Sequence, residues 1–355
     1  MIDLSSPDAI DRADPSGMLR TVLNLPAQCR QGYRVGRDAA GLPDATGLAS
    51  IAVCGMGGSG VSGDVLRALY RDRLGIPLEV VKSSTLPEFC GKDTLVVCSS
   101  FSGNTSETLA CFDAASGRGC RVLGASSGGE LSARAAEQGV PVVAVPSAGI
   151  PGPRASLGLL LFAMLGAMER MGLVPAIADD LEEATAVLQA LAVELRPAEK
   201  ENPAVHLARW VEDRSVTVWG AEGVGSVAAT RWKTQLNENA KTPAFASSLP
   251  ELDHNEIVGW SAEGAGRKFA LVALRHEGEP PEVAARFPAS MEIASASGLE
   301  SREVWARGES ALARLLSLVM LGDATSVYLG LLRGFDPTPI ESIDRLKRVL
   351  QERSE

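Results

Sequence analysis

The chain has 355 residues, 45% of them hydrophobic, which suits one large or two medium domains with a real core and excludes a disordered chain. Its 34 basic and 44 acidic residues leave a net charge of −10, which argues against nucleic acid as a main partner, because a phosphate backbone needs a basic footprint. Six cysteines form no CxxC pair and read as core residues of a reduced compartment; Met1-Ile2-Asp3-Leu4 is not the start of a signal peptide; and the longest apolar stretch, 157–168, is too short for a bilayer. A soluble, cytoplasmic protein without a membrane partner is the expectation.

Along the chain, strands are expected at 49–54, 78–82, 94–99, 121–125 and 142–145. Helices are expected between them at 62–73, 105–117 and 130–138. This alternation predicts an α/β fold, a parallel sheet covered by helices on both faces. Helical patterns follow at 154–171 and 179–195, and the connection between two units falls near Arg196 and Pro197. The units are read as 1–178, with a leading helix, and 179–355, with a closing one.

The second half repeats the plan in weaker form. A strand at 216–219, a turn at 220–225 and a helix at 224–239 copy the first unit without its Ser-rich turn. Further strands are expected at 269–274 and 303–306, and a long apolar helix at 308–332. The chain closes at 340–353 on an amphipathic helix with Ile343, Leu346 and Leu350 on one face. Two similar halves suggest a duplication.

Chemistry concentrates at a few places. Gly55-Met56-Gly57-Gly58-Ser59-Gly60 and Ser100-Phe101-Ser102-Gly103-Asn104-Thr105 each follow an apolar strand and precede a helix. Such turns offer backbone N–H groups, small hydroxyls and helix N-termini, which suit a dianionic phosphate. The glycine spacing 55-57-60 also fits a dinucleotide fingerprint, but no acidic residue ends the second strand as that motif requires. Either turn alone could be purely structural; two after neighbouring strands favour phosphate.

The histidines are His206, His254 and His276, with no HxH or HxxxH pair, which argues against catalytic zinc. His206 and His276 read as surface or satisfied residues. His254 lies in an aperiodic polar segment and is either a solvated loop residue or an acid–base group. Glu238, between Asn237 and Asn239 at a helix end, is either a solvated cap or a base held by amides. Arg154 at a helix start opposes the macrodipole unless it meets an anion. Lys347 reads by default as a solvated helix-face residue.

Taken together, these segments resemble the bifunctional phosphoglucose/phosphomannose isomerase family, whose members are built from two sugar-isomerase (SIS) domains. The resemblance runs from Met18 to about Arg353. It is carried by GMGGSG at 55–60, SFSGNTSET at 100–108, PRASLG at 153–158, NENAK at 237–241, PELDHNEIVGW at 250–260 and DPTPIESIDRLK at 336–347.

It implies that Ser59, Ser100, Ser102 and Thr105 hold a sugar phosphate, with backbone amides from the Gly58 region. It implies that Glu238 is the base moving a proton between C1 and C2, that Arg154 stabilises the enediolate, and that His254 and Lys347 assist ring opening. His254 would reach the site from the partner of a homodimer, and Thr338 would lie near C2–C3 of the substrate. The implied enzyme is a metal- and cofactor-free isomerase of glucose 6-phosphate, mannose 6-phosphate and fructose 6-phosphate. The alternative is a non-catalytic SIS-domain regulator that binds a sugar phosphate.

Overall fold

A computed structural model describes residues 2–353. Three helices lead, α1 (Pro7–Ala13), α2 (Met18–Leu23) and α3 (Leu25–Asp38). The first α/β unit follows as β1 (Ser50–Cys54), α4 (Gly57–Tyr70), β2 (Leu78–Val81), β3 (Thr94–Ser99), α5 (Ser106–Gly117), β4 (Arg121–Ser126), α6 (Gly129–Glu137) and β5 (Val142–Ala144). A 3-10 turn, Pro153–Ser156, runs into α7 (Leu157–Arg170), then α8 (Ala178–Glu194) and α9 (Pro203–Trp210).

The second unit comprises β6 (Ser215–Ala221), α10 (Val224–Asn239), β7 (Ala244–Leu249), a 3-10 turn Glu251–His254, α11 (Glu256–Gly259) and β8 (Phe269–Arg275). It continues with α12 (Pro281–Ala284), α13 (Arg286–Ser295), β9 (Glu300–Trp305), α14 (Ala311–Leu332) and α15 (Glu341–Glu352).

All pairings are parallel, in the orders β2-β1-β3-β4-β5 and β7-β6-β8-β9. The two orders superimpose strand for strand from the left edge, so the halves share one plan. In each sheet the order of strand addition reverses beside the second strand. That switch point opens a crevice outside the carboxyl ends of β1 and β3, where ligands of open α/β sheets bind. Ser50–Cys54 and Thr94–Ser99 are buried throughout, which is why 51–54 and 95–98 read as unbroken apolar runs.

Several expected elements shift. α4 begins at Gly57 rather than 62, because packing overrides the poor helix propensity of Gly57, Gly58 and Gly60. β7 was not expected: its Ala-Phe-Ala-Ser-Ser-Leu sequence is small and polar, suited to an edge strand. β6 extends to Ala221, leaving only Glu222 and Gly223 as the turn before α10. α14 is long and apolar enough to cross a bilayer by length and composition, unlike 157–168, but its most apolar window is 89% buried inside the fold.

One apolar core runs through both halves, from Ile51, Val97 and Leu160 to Val218, Leu316 and Tyr328, all fully buried. α8 packs against both α3 and α14 and so bridges the units. α3 lies tightly on α7: a Cβ at Gly32 would come 2.5 Å from the carbonyl oxygen of Leu159. This close approach fixes α7 and the turn Pro153–Ser156 in front of it.

Candidate active site

The turns after β1 and β3 knit into one cradle. Ser59, 4% exposed, accepts the N–H of Phe101 at 3.1 Å, which ties the first turn to the second. Ser100 is buried; its Oγ sits 2.9 Å from Oγ1 of Thr105 and accepts the N–H of Gly103 at 3.1 Å. Ser102 is exposed on the rim, where it accepts the N–H of Asn104 at 3.3 Å. Gly103 has φ +70° and lies against the Gly128 carbonyl, so no side chain fits there. Neither α4 nor α5 has a side-chain cap at its start. Their first N–H groups are therefore free to meet an anion, and the dipoles favour one.

Gly58 brings this cradle against Arg154. A Cβ at Gly58 would stand 2.7 Å from Cα of Arg154 and 3.0 Å from its N. Arg154 is 4% exposed and almost fully bonded. Nε donates to Oδ1 of Asn239 at 2.7 Å, and Nη2 donates to the carbonyls of Pro337 at 2.7 Å and Thr338 at 2.8 Å. Nη1 faces Oε2 of Glu238 at 3.6 Å. Burial pushes the guanidinium pKa below its ordinary value, and the neighbouring Glu238 carboxylate works the other way. Arginine nevertheless stays charged in proteins, so the site holds a fixed cation.

Behind Arg154 stands a second arginine. Arg231 of α10 makes a buried two-pronged pair with Asp323 of α14, at 2.9 and 2.7 Å, and donates from Nη2 to the Arg154 carbonyl at 2.6 Å. Burial pushes the Asp323 carboxyl pKa up, and Arg231 opposes this. Asn239 is held in turn by its Nδ2 donating to Ser326 at 2.9 Å. Sequence reasoning passed over Arg231, Asp323 and Ser326. The one signal for Asp323 was an acidic residue in the middle of the long apolar run of α14; Arg231, two residues before Lys233, carried none.

Glu238 is the penultimate residue of α10, with its side chain 26% exposed. It opens onto a cavity of about 670 Å³ that is also lined by Lys241, Asp336, Pro339 and Ile343. None of the cradle residues lines this cavity. Arg154 connects the two regions, its backbone on Gly58 and its guanidinium on Glu238. Thr338 is beside Arg154 through its carbonyl, and its Oγ1 is buried without a hydrogen-bond partner.

His254 and Lys347 lie apart. His254 is exposed and its side chain makes no hydrogen bond or ion pair within the described residues. The residues around it are clamped: Asp253 accepts from Ser290 at 2.7 Å and Arg286 at 3.1 Å, while Glu256 accepts from Trp219 at 3.2 Å, Trp260 at 2.9 Å and Ser247. The segment therefore presents His254 outward on a rigid base. Lys347 is exposed on α15, one turn beyond the residues that line the cavity.

His276 corrects the reading of a surface or satisfied residue. It is 5% exposed, and neither ring nitrogen has a partner. Burial holds its pKa below the usual value; Glu279 opposes the shift, and Arg314 and Arg275 add to it.

The repeated sheet order, the cradle at the first switch point and the carboxylate supplied by the second half define a phosphosugar protein of the double-SIS class. A solved structure of a hypothetical protein from Thermus thermophilus shares this fold, with TM-score 0.73 and 17% identity over 98% of this chain and 96% of that one. Residues 200–350 match the family described as "Bacterial phospho-glucose isomerase C-terminal SIS domain". The chain is 34% identical to the "Bifunctional phosphoglucose/phosphomannose isomerase" of Caldicellulosiruptor bescii, over 94% of this chain and 99% of the relative. It is 37% identical to the protein of that name from Aquifex aeolicus, over 87% and 92%. The chain belongs to the bifunctional phosphoglucose/phosphomannose isomerase family.

Proposed function

We infer that the protein interconverts glucose 6-phosphate and mannose 6-phosphate with fructose 6-phosphate through a cis-enediol, without a metal ion. The observation that carries this reading is the buried Arg154 cation 3.6 Å from the Glu238 carboxylate and in backbone contact with the Gly58 turn. Relatives of that name over nearly the whole chain support it.

The residue types suit the reaction. Ser59, Ser100, Ser102, Thr105 and the amides near Gly58 hold the phosphate, and binding energy at this non-reacting group aligns the carbons. On the open-chain aldose, Glu238 takes the proton from C2. The C–H electrons form the C1–C2 double bond, and charge moves onto O1, opposite Arg154. Glu238 then returns its proton to C1 while the O2 proton passes to O1, giving the ketose. Thr338 borders the space in which rotation about C2–C3 offers either face of C2 to the one base. His254 and Lys347 assist ring opening.

We further propose a homodimer in which His254 acts across the interface. Its outward presentation supports this, as do Ile343 and Leu346 of α15, left 39% and 56% exposed. We take the two SIS units as 1–178 and 179–355, and six cysteines outside any disulfide suit a cytoplasmic setting. A sugar-phosphate regulator is not favoured, since Glu238 and Arg154 are both in place.

A coupled assay on both aldose phosphates in excess chelator tests the function. Turnover of both is expected; failure on both overturns it.

A further inference from the structure

We propose that Lys241 is a positioning residue of this site: its ammonium pins the 337–339 loop to the end of α10 and so sets the spacing between Arg154 and Glu238. This rests on the isomerase reading.

Lys241 follows α10 by two residues and has φ +51°, the only positive φ of a non-glycine among the described residues. A lysine gains nothing from that conformation by itself. What it achieves is to turn the side chain back over the helix end. Nζ donates to the carbonyl of Glu238 at 2.6 Å, of Pro337 at 3.1 Å and of Pro339 at 2.8 Å. An ammonium has three N–H bonds, and these three acceptors use them all. The Glu238 carbonyl is one of the orphan acceptors at the end of α10, where a cation also meets the negative end of the dipole.

The loop needs such donors. Asp336-Pro337-Thr338-Pro339 contains two prolines, which have no N–H to donate. Its carbonyls instead face inward to two cations. Pro337 is shared between them, accepting Nη2 of Arg154 at 2.7 Å as well as Lys241. Arg154 is thus anchored on the loop, the loop on Lys241, and Lys241 on the backbone of Glu238. The two reacting groups are joined through the Pro337 carbonyl and the Lys241 ammonium.

Holding two cations together is costly. Burial lowers the pKa of Lys241, and Arg154 lowers it further; Asp336, Glu238 and Glu341 oppose the shift. That a lysine is kept there in a left-handed conformation indicates a role beyond capping, since strain of this kind concentrates at functional sites.

The test compares kcat and KM for fructose 6-phosphate in the full-length wild type and in Lys241→Met, Lys241→Gly and Lys241→Arg, with thermal melting of each. Lys241→Met is expected to lower kcat by about 10–100-fold, as loss of sub-ångström alignment does, with KM within about twofold because the phosphate cradle is untouched. Lys241→Gly, which relaxes the backbone but lacks the ammonium, should behave the same, and Lys241→Arg should recover most of the rate. Wild-type kcat in Lys241→Met, or recovery in Lys241→Gly, would overturn the proposal. So would a rise in KM at constant kcat. Should Lys241→Met not fold, Lys241→Gly against Lys241→Arg decides. A wild type inactive on both aldose phosphates would remove the isomerase reading and this proposal together, whereas an active wild type with indifferent variants removes this one alone.

Discussion

Arg231 reaches across from α10 and donates from Nη2 to the carbonyl oxygen of Arg154 at 2.6 Å. One arginine, neutralised by Asp323, therefore holds the backbone of another whose charge remains available to Glu238. The first is structural and paired with Asp323; the second is anchored by carbonyl and amide acceptors that leave its Nη1 facing Glu238.

Asp323→Asn should be strongly destabilising. It leaves Arg231 buried without its counter-ion, a change that costs about 3–5 kcal/mol. Denaturant unfolding of the variant would show this as a lower midpoint at unchanged slope. A midpoint equal to the wild type would mean that Arg231 has another counter-charge.

Gly58→Ala should separate the cradle from Arg154. The new methyl would meet backbone atoms, Cα of Arg154 at 2.7 Å and the Pro153 carbonyl at 3.0 Å, neither of which can swing away as a side chain could. Overpacking of this kind costs about 1–3 kcal/mol, and turnover should fall with it. Gly75→Ala, where an added Cβ meets nothing within 4 Å, is the matched control and should be neutral. Equal stability and turnover in the two variants would refute the close packing.

His276 should make the protein less stable in mild acid. Its folded pKa lies below the usual value, so the unfolded chain takes up a proton that the native state refuses. Stability should therefore fall as pH drops below about 6.5, the ordinary histidine value, and level off once the folded pKa is passed. Melting temperatures from pH 8 to 5 would trace this, and His276→Leu should flatten the slope in that window. An equally steep slope in the variant would assign the acid sensitivity elsewhere.

Glu238→Gln should reduce isomerisation and solvent deuterium incorporation at C2 by about 10²–10⁴-fold while leaving phosphate binding nearly intact. His254→Asn should also be impaired. If His254 works across subunits, refolding the two variants together should restore about a quarter of wild-type activity, because half of randomly formed dimers carry one intact site. No recovery on mixing would place His254 in its own subunit's site, or outside any site.

Much of the frame was readable from sequence because burial on both sides leaves a plain signature. The runs ending at Cys54 and Cys98 are uninterrupted apolar strands, and the Gly/Ser turns after them fall where the sheet reverses. Edge strands were harder. β7 carries two serines, and the start of β9 is Glu300-Ser301-Arg302-Glu303, charged because an edge faces water. His276 looked exposed because its neighbours are Arg275, Glu277 and Glu279. The loop is nonetheless tied down on both sides of it: Arg275 lies between Phe287 at 4.2 Å and Trp305 at 4.8 Å, and the His276 N–H donates to Glu279 at 2.9 Å.

The same contrast holds within the site. Ser59, Ser100 and Arg154 stood out in the sequence because small hydroxyls in Gly-rich turns and an arginine at a helix start suggest contact with an anion. Lys241 and Thr338 lie inside two of the segments that carry the resemblance, but the bonds from Lys241 to the 337–339 loop were not legible, because the acceptors are main-chain oxygens nearly a hundred positions away. Every residue carries such an oxygen, so no side-chain pattern marks the ones that matter.

The apolar interior shared by the two sheets has a consequence for how this chain can be taken apart. Cut near residue 178, each fragment would expose to water the faces that α8, α14 and α7 now cover, and would be sticky rather than native. The repeats are alike in plan but have lost the ability to live separately: heating should melt them in one step.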